Sequence, residues 1–172
     1  MKSLKTLVSL SALVVCMGAA SMANAYTFNP KVTGGTPFSG TGTLVAKSPT
    51  SANLDVTCAL SVTGSIDAAG NAKILTAAPS GGGLCALPTI TGLPWPVVPT
   101  GLSTVRVDNV GYNLPAVFPF PKSTCGLTSI NGSFTPGASA TLGFTNQALA
   151  GSCTITSLNI TTSGATITIT NP

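Results

Sequence analysis

Histidine and glutamate are missing from the chain altogether. Hydrolytic and general acid–base schemes therefore lose their usual participants at once. The acids that do occur, Asp55, Asp67 and Asp108, are scattered, and Asp67 belongs to a turn. The chain reads as non-enzymatic, with no catalytic residue to name. Charge of either sign is scarce: charged residues make up 6% of the sequence, where an ordinary domain carries about 25%. After the first 25 residues only Lys31, Lys47, Lys73, Arg106 and Lys122 are basic, too few and too dispersed to neutralise a row of phosphates, which argues against nucleic acid as a partner. No two cysteines are close enough for a zinc knuckle, and Gly81-Gly82-Gly83 lacks the Lys and Ser/Thr that complete a phosphate loop. No metal and no cofactor are expected. Helical periodicity is also absent. Solubility must rest on Thr, Ser, Asn and Gly, which hydrate a surface without repelling neighbours, so self-association and adsorption to interfaces are weakly opposed.

What is present begins with a leader. Lys2 and Lys5 precede an apolar stretch from Leu7 to Ala20, and Ala23-Asn24-Ala25 supplies a small-x-small cleavage site. A membrane anchor needs about 20 apolar residues, more than this core offers. The sequence therefore predicts a signal peptide over residues 1–25 and a secreted, extracellular chain over 26–172. Cys16 leaves with the leader, because Val15 occupies the place where a lipidation signal has a small residue.

The remaining four cysteines bracket a unit that occurs twice. Cys58 and Cys85 enclose the first copy, Cys125 and Cys153 the second, with the second interval one residue longer. Gly64-Ser65-Ile66 aligns with Gly132-Ser133-Phe134, Gly70 with Gly137, and Ala72-Lys73-Ile74 with Ala140-Thr141-Leu142. The copies span roughly residues 52–97 and 119–165 of a single domain. An even cysteine count behind an export signal indicates disulfides. Of the three connectivities that four cysteines allow, the duplication favours Cys58–Cys85 and Cys125–Cys153, each worth about 3–4 kcal/mol in the loop-entropy model.

From Cys58 to Ile66 apolar and polar residues alternate with the period of a half-buried strand. Asp67 to Asn71 supplies a turn, and Ala72 begins the return. The second copy repeats this hairpin, but its apolar parity changes, so a β-bulge is expected near Ser129–Ile130. A final hairpin is expected from Thr154–Ile160 to Thr166–Thr170, with a threonine face that reads as ordinary solvent surface. Between the copies, the prolines of 88–99 and 115–121 exclude a central strand and predict unusually apolar loops or edges. Short β-branched runs with Gly/Pro punctuation give an all-β fold, an antiparallel β-sandwich or partly open barrel built from the two disulfide-bracketed units.

The segments that do not repeat are the candidates for function. Trp95, Val97, Val98, Phe118 and Phe120 would enter an oil–water or membrane interface if exposed, at a gain of about 25 cal/mol per Å²; otherwise they cap the core. Tyr26, Phe28 and Val32 form either a self-packed edge strand or a strand donated to a neighbour, as in a pilus-like or matrix subunit. Trp95 is also where a carbohydrate-binding adhesin would stack a sugar.

The leader Met1 to Ala25, the threonine-rich strands and the two cysteine pairs together resemble the PraB-like protein activators of alkane oxidation, small secreted bacterial proteins. The resemblance runs over essentially the whole chain. It implies a non-enzymatic extracellular protein that promotes alkane use by emulsification or adsorption, linked to adhesion and biofilm, without catalytic residues or cofactor. Hydrophobic interfaces or hydrocarbon droplets are the implied partners, with the cell surface, biofilm matrix and self-association beside them.

Overall fold

The computed structural model describes residues 26–171; the leader assigned to 1–25 lies outside the described residues. Eleven strands follow in order: β1 (Thr27–Asn29), β2 (Thr36–Lys47), β3 (Val56–Ile66), β4 (Ala72–Ser80), β5 (Thr89–Thr91), β6 (Trp95–Pro99), β7 (Thr104–Leu114), β8 (Ser123–Thr135), β9 (Thr141–Leu149), β10 (Cys153–Ser163) and β11 (Thr168–Thr170). Two 3-10 turns interrupt them, at Pro49–Ser51 and Gly83–Ala86.

Strand β3 shows how the sequence dictates the sheet. Cys58, Leu60, Val62, Gly64 and Ile66 are buried, while Ala59, Ser61 and Thr63 are exposed. A period of two on one strand fixes its face and hence its register with both neighbours: Val62 lies opposite Gly40 of β2 and Ala77 of β4. The antiparallel order runs β7–β6–β4–β3–β2–β10–β9–β8, and β8 then pairs with β7. The eight strands form a closed barrel and not a two-sheet sandwich. Closure turns the inward positions of both copies and of β7 between them toward one core, including Val62, Ile66, Val105, Ile130 and Phe144.

Closure depends on two irregularities in the β7–β8 ladder. Val107 pairs with Ile130 and Val110 with Thr128, so β7 carries the extra residue at Asp108–Asn109; Tyr112 then pairs with Cys125, so β8 carries the next one at Gly126–Leu127. The expected bulge near Ser129–Ile130 is thus displaced. The parity of β8 switches at Gly126, whose φ of 98° suits a residue without a side chain. Opposite Ser129, the extra residue belongs to the partner strand.

Two further expectations are corrected. Segment 95–99 is an interior strand, β6, even though it contains Pro96 and Pro99. Pro96 is paired only with Lys73 on β4, and Pro99 only with Val105 on β7, so each proline meets a single neighbour and only Val97 is paired on both sides. The last two strands do not form a hairpin. After Ser163-Gly164 the chain crosses the barrel mouth, and β11 pairs with β1. That small sheet closes one end: Phe28 packs edge-to-face on Phe134, with centroids 5.6 Å apart, beside buried Ile167 and Ile169. The segment Tyr26–Val32, weighed above as a donated strand, therefore packs on its own chain through β1.

Both disulfides lie toward the opposite end. Cys58–Cys85 ties β3 to the second 3-10 turn, and Cys125–Cys153 ties β8 to the start of β10, with Cα–Cα distances of 5.5 and 5.6 Å. Two such bridges indicate a non-cytoplasmic protein, because thiols in the cytosol are kept reduced.

Candidate functional site: the disulfide-bearing end of the barrel

Four connections meet at this end: the β2–β3 turn, the β4–β5 link, the β7–β8 loop over residues 115–122, and the β9–β10 turn. Five of the eight residues in that β7–β8 loop are Pro or Phe. Its tip is tight: Val117 and Phe120 exchange backbone hydrogen bonds of 3.2 and 2.7 Å, leaving Phe118 and Pro119 as the turn. Phe118 is 97% exposed and Phe120 40% exposed. A phenylalanine is usually among the most buried residues, so a ring held almost wholly in solvent at the apex of a short turn is the unusual observation.

The loop is fixed at its base by a buried polar clasp. The Thr50 backbone N–H donates to Ser123 Oγ at 2.9 Å, the Thr50 hydroxyl donates to the Pro121 carbonyl at 2.8 Å, and the two hydroxyl oxygens lie 2.7 Å apart. Thr50 and Ser123 are both fully buried, where such bonds are expensive to leave unmade. Ser51 Oγ accepts from the Ser48 backbone N–H at 3.1 Å and so steadies the 3-10 turn that presents Thr50. Exposed Leu54 lies on the same β2–β3 connection, and exposed Leu87 lines a cleft with Pro115, Ala116 and Lys122.

Charge at this end is sparse, with Lys122 on the loop beside one ion pair. Lys47 and Asp55 form an ion pair at 3.6 Å, and Asp55 also accepts from Thr156 at 2.7 Å. The other carboxylates are engaged elsewhere. Asp67 accepts from the side chain and backbone of Asn71, which lowers its pKa. Asp108 accepts from Arg106 at 2.7 and 3.1 Å and from Ser129 at 2.6 Å. The Arg106 hydrogen bonds hold the Asp108 carboxyl below its ordinary range against the opposing effect of partial burial. Each acid is explained by a turn, a pair or a bulge. Among the described residues no three Cys, Asp, Glu or His side chains converge on a metal-sized space.

The five apolar residues singled out in the sequence are therefore separated by the fold. Phe118 and Phe120 stand at the loop end. Trp95 and Val97 face the core, Val98 is half-buried, and the Trp95 indole N–H donates to the Thr91 carbonyl at 2.8 Å. Trp95 has no free face for a sugar or for oil, because strand parity turns it inward. The sequence marked Leu87 only as a repeat position two places after Cys85, where the second copy has Ile155 after Cys153, and it did not single out Leu54, which lies in turn chemistry with no periodicity to mark it.

The molecule is a disulfide-pinned, nearly uncharged antiparallel barrel with one end closed by the β1–β11 pair and the other carrying an apolar loop. The chain belongs to the alkane oxidation protein activator family, PraA/PraB-like, whose family model matches residues 1–170. That membership connects the protein with alkane utilisation. No curated protein and no solved structure matches the chain.

Proposed function

We propose that the protein promotes alkane utilisation from outside the cell, without catalysing a reaction, by adsorbing at the oil–water interface through its β7–β8 loop and so emulsifying the hydrocarbon. The observation that carries this reading is Phe118, 97% exposed on a turn whose base is clasped by Thr50 and Ser123. Moving apolar area from water into oil gains about 25 cal/mol per Å², and a turn that is already ordered has little conformational entropy left to lose on insertion. Near-neutrality lets molecules crowd on a droplet with little mutual repulsion, and the disulfides keep the barrel folded while its end is in oil. Activation then means better access to an insoluble substrate. Adhesion and biofilm follow from the same surface, since a layer that wets oil also bridges cells to droplets. Export is supported by the leader pattern of residues 1–25.

The test is an emulsion assay. Purified residues 26–172 should stabilise a hexadecane emulsion, and Phe118→Ser/Phe120→Ser should lose most of that activity, with its unfolding midpoint unchanged because neither ring belongs to the core. Equal emulsification by both proteins would overturn the assignment to this loop.

A further inference from the structure

Beside the β7–β8 loop, an open cleft of about 490 Å³ lies across β5, β7 and the start of β8, and neither Phe118 nor Phe120 lines it. Clefts of about 300–1,000 Å³ are the size that small ligands occupy. Its two halves differ in chemistry. Leu87, Pro115 and Ala116 make an apolar wall, and all three are exposed. The other half is a polar row set by strand register: Thr89 pairs with Asn113, and Asn113 pairs with Thr124. Asn113 lies between buried Tyr112 and Leu114, and Thr124 between buried Ser123 and Cys125, so alternation turns both side chains out of the barrel. Exposed Lys122, two residues before Thr124, also lines the cleft.

The Lys122 ammonium has no carboxylate partner, because all three aspartates of the chain are engaged elsewhere: Asp55 by Lys47, Asp67 by Asn71 and Asp108 by Arg106. A cation, two hydroxyls and a carboxamide beside an apolar wall define a ligand with an anionic head and an aliphatic tail. We propose that this cleft binds a straight-chain fatty acid, with its carboxylate against Lys122, Asn113, Thr89 and Thr124 and its chain along Leu87, Pro115 and Ala116. A plain alkane would cover the wall and leave the ammonium unpaired. A sugar would meet the polar row, but it brings no charge for Lys122 and finds no aromatic ring in the cleft to stack on. The pairing at Lys122 is open to water, so its strength is modest and salt screens it. The site holds one dissolved ligand molecule on the outer wall, and it stands whether or not Phe118 enters oil.

The probe is octanoate below its micelle concentration, in buffer without an oil phase. With it, 1-octanol supplies the same chain without the charge, and acetate the head without the chain. Titrations are followed by amide and side-chain NMR shifts. Saturable shifts are expected at Leu87, Asn113, Ala116, Lys122 and Thr124 with octanoate. Affinity for octanol should be about fivefold weaker, the size of one solvent-screened ion pair, and acetate should not saturate. Lys122→Gln should erase the preference for octanoate, Lys122→Arg should keep it, and Leu87→Ser should weaken both ligands. Phe118→Ser should bind octanoate as the parent does, which separates this cleft from the adsorbing tip. Octanoate shifts confined to Phe118 and Phe120, equal affinities for octanoate and octanol, or an unchanged ratio in Lys122→Gln would overturn the proposal.

Discussion

Replacing Cys58 and Cys85 together by alanine is expected to lower the unfolding free energy by about 3–4 kcal/mol. The bridge closes a loop of 27 residues in the unfolded chain, and most of the loss comes from freeing that loop. Cys125→Ala/Cys153→Ala should cost about 1 kcal/mol more. Its loop is nearly the same length, at 28 residues, but Cys125 and Cys153 are packed within the hydrophobic core, whereas Cys58 and Cys85 lie at its margin. Removing the second pair therefore also leaves unfilled space. The two losses together approach the whole stability of an ordinary domain, about 5–15 kcal/mol, so the fully reduced protein should be only marginally folded. Urea titrations of the two double variants against the oxidised parent check the size and the order. A loss below about 1 kcal/mol for either pair would mean that the bridge restrains little of the unfolded chain.

Gly132→Val should lose about 3 kcal/mol, at the upper end of ordinary overpacking costs. A Cβ at this position would run into the Gly143 carbonyl oxygen and the Phe144 ring. Its counterpart in the first copy is Gly64, where a Cβ would meet the Phe38 ring and the Lys73 carbonyl. In each copy a phenylalanine from an adjacent strand lies across the glycine, so the missing side chain is filled from next door. Gly143→Ala is the control. There the nearest atoms are the ends of the Ser133 and Asn159 side chains, at 2.9 and 3.5 Å, which can turn aside, and the cost should stay near 1 kcal/mol or less. Equal losses at 132 and 143 would show that glycine content in general, and not the ring contact, sets the stability.

These glycines show what the sequence carried plainly. Gly64 and Gly132 mark the same place in two copies, and strict alternation from Cys58 to Ile66 is enough to draw a strand, its buried face and its hairpin partner. The disulfide pairing suggested by the duplication is the pairing in the fold. Barrel closure was much harder to read. It rests on offsetting extra residues, Asp108–Asn109 on β7 and Gly126–Leu127 on β8, and a parity change in one strand says nothing about the register of a partner from the non-repeating segment. The final hairpin failed for a related reason. Thr166 to Thr170 alternates like any strand, and only the open barrel mouth, with Phe28 seated in it, decides that β11 pairs with β1.

The candidate site was half legible for the same reason. Trp95 and Phe118 are both aromatic residues directly followed by proline, and composition does not distinguish them. Pairing does. Trp95 sits opposite Ile74 on a strand whose parity points it inward, while Phe118 falls at the tip of a two-residue turn with nothing to pack against. The Thr50–Ser123 clasp was not readable at all, since the contact spans 73 residues of chain and joins two residue types found throughout the sequence.

The central claim is that the β7–β8 loop enters oil, and a tryptophan placed at its tip reports this directly. In a Phe118→Trp variant carrying Trp95→Phe, the sole indole stands where Phe118 now meets solvent. Emission should be red in buffer and should shift to the blue when hexadecane droplets are added, while the parent protein, whose Trp95 is already buried, should show blue emission that oil leaves unchanged. Emission from Trp at position 118 that stays red on fully coated droplets would contradict the account.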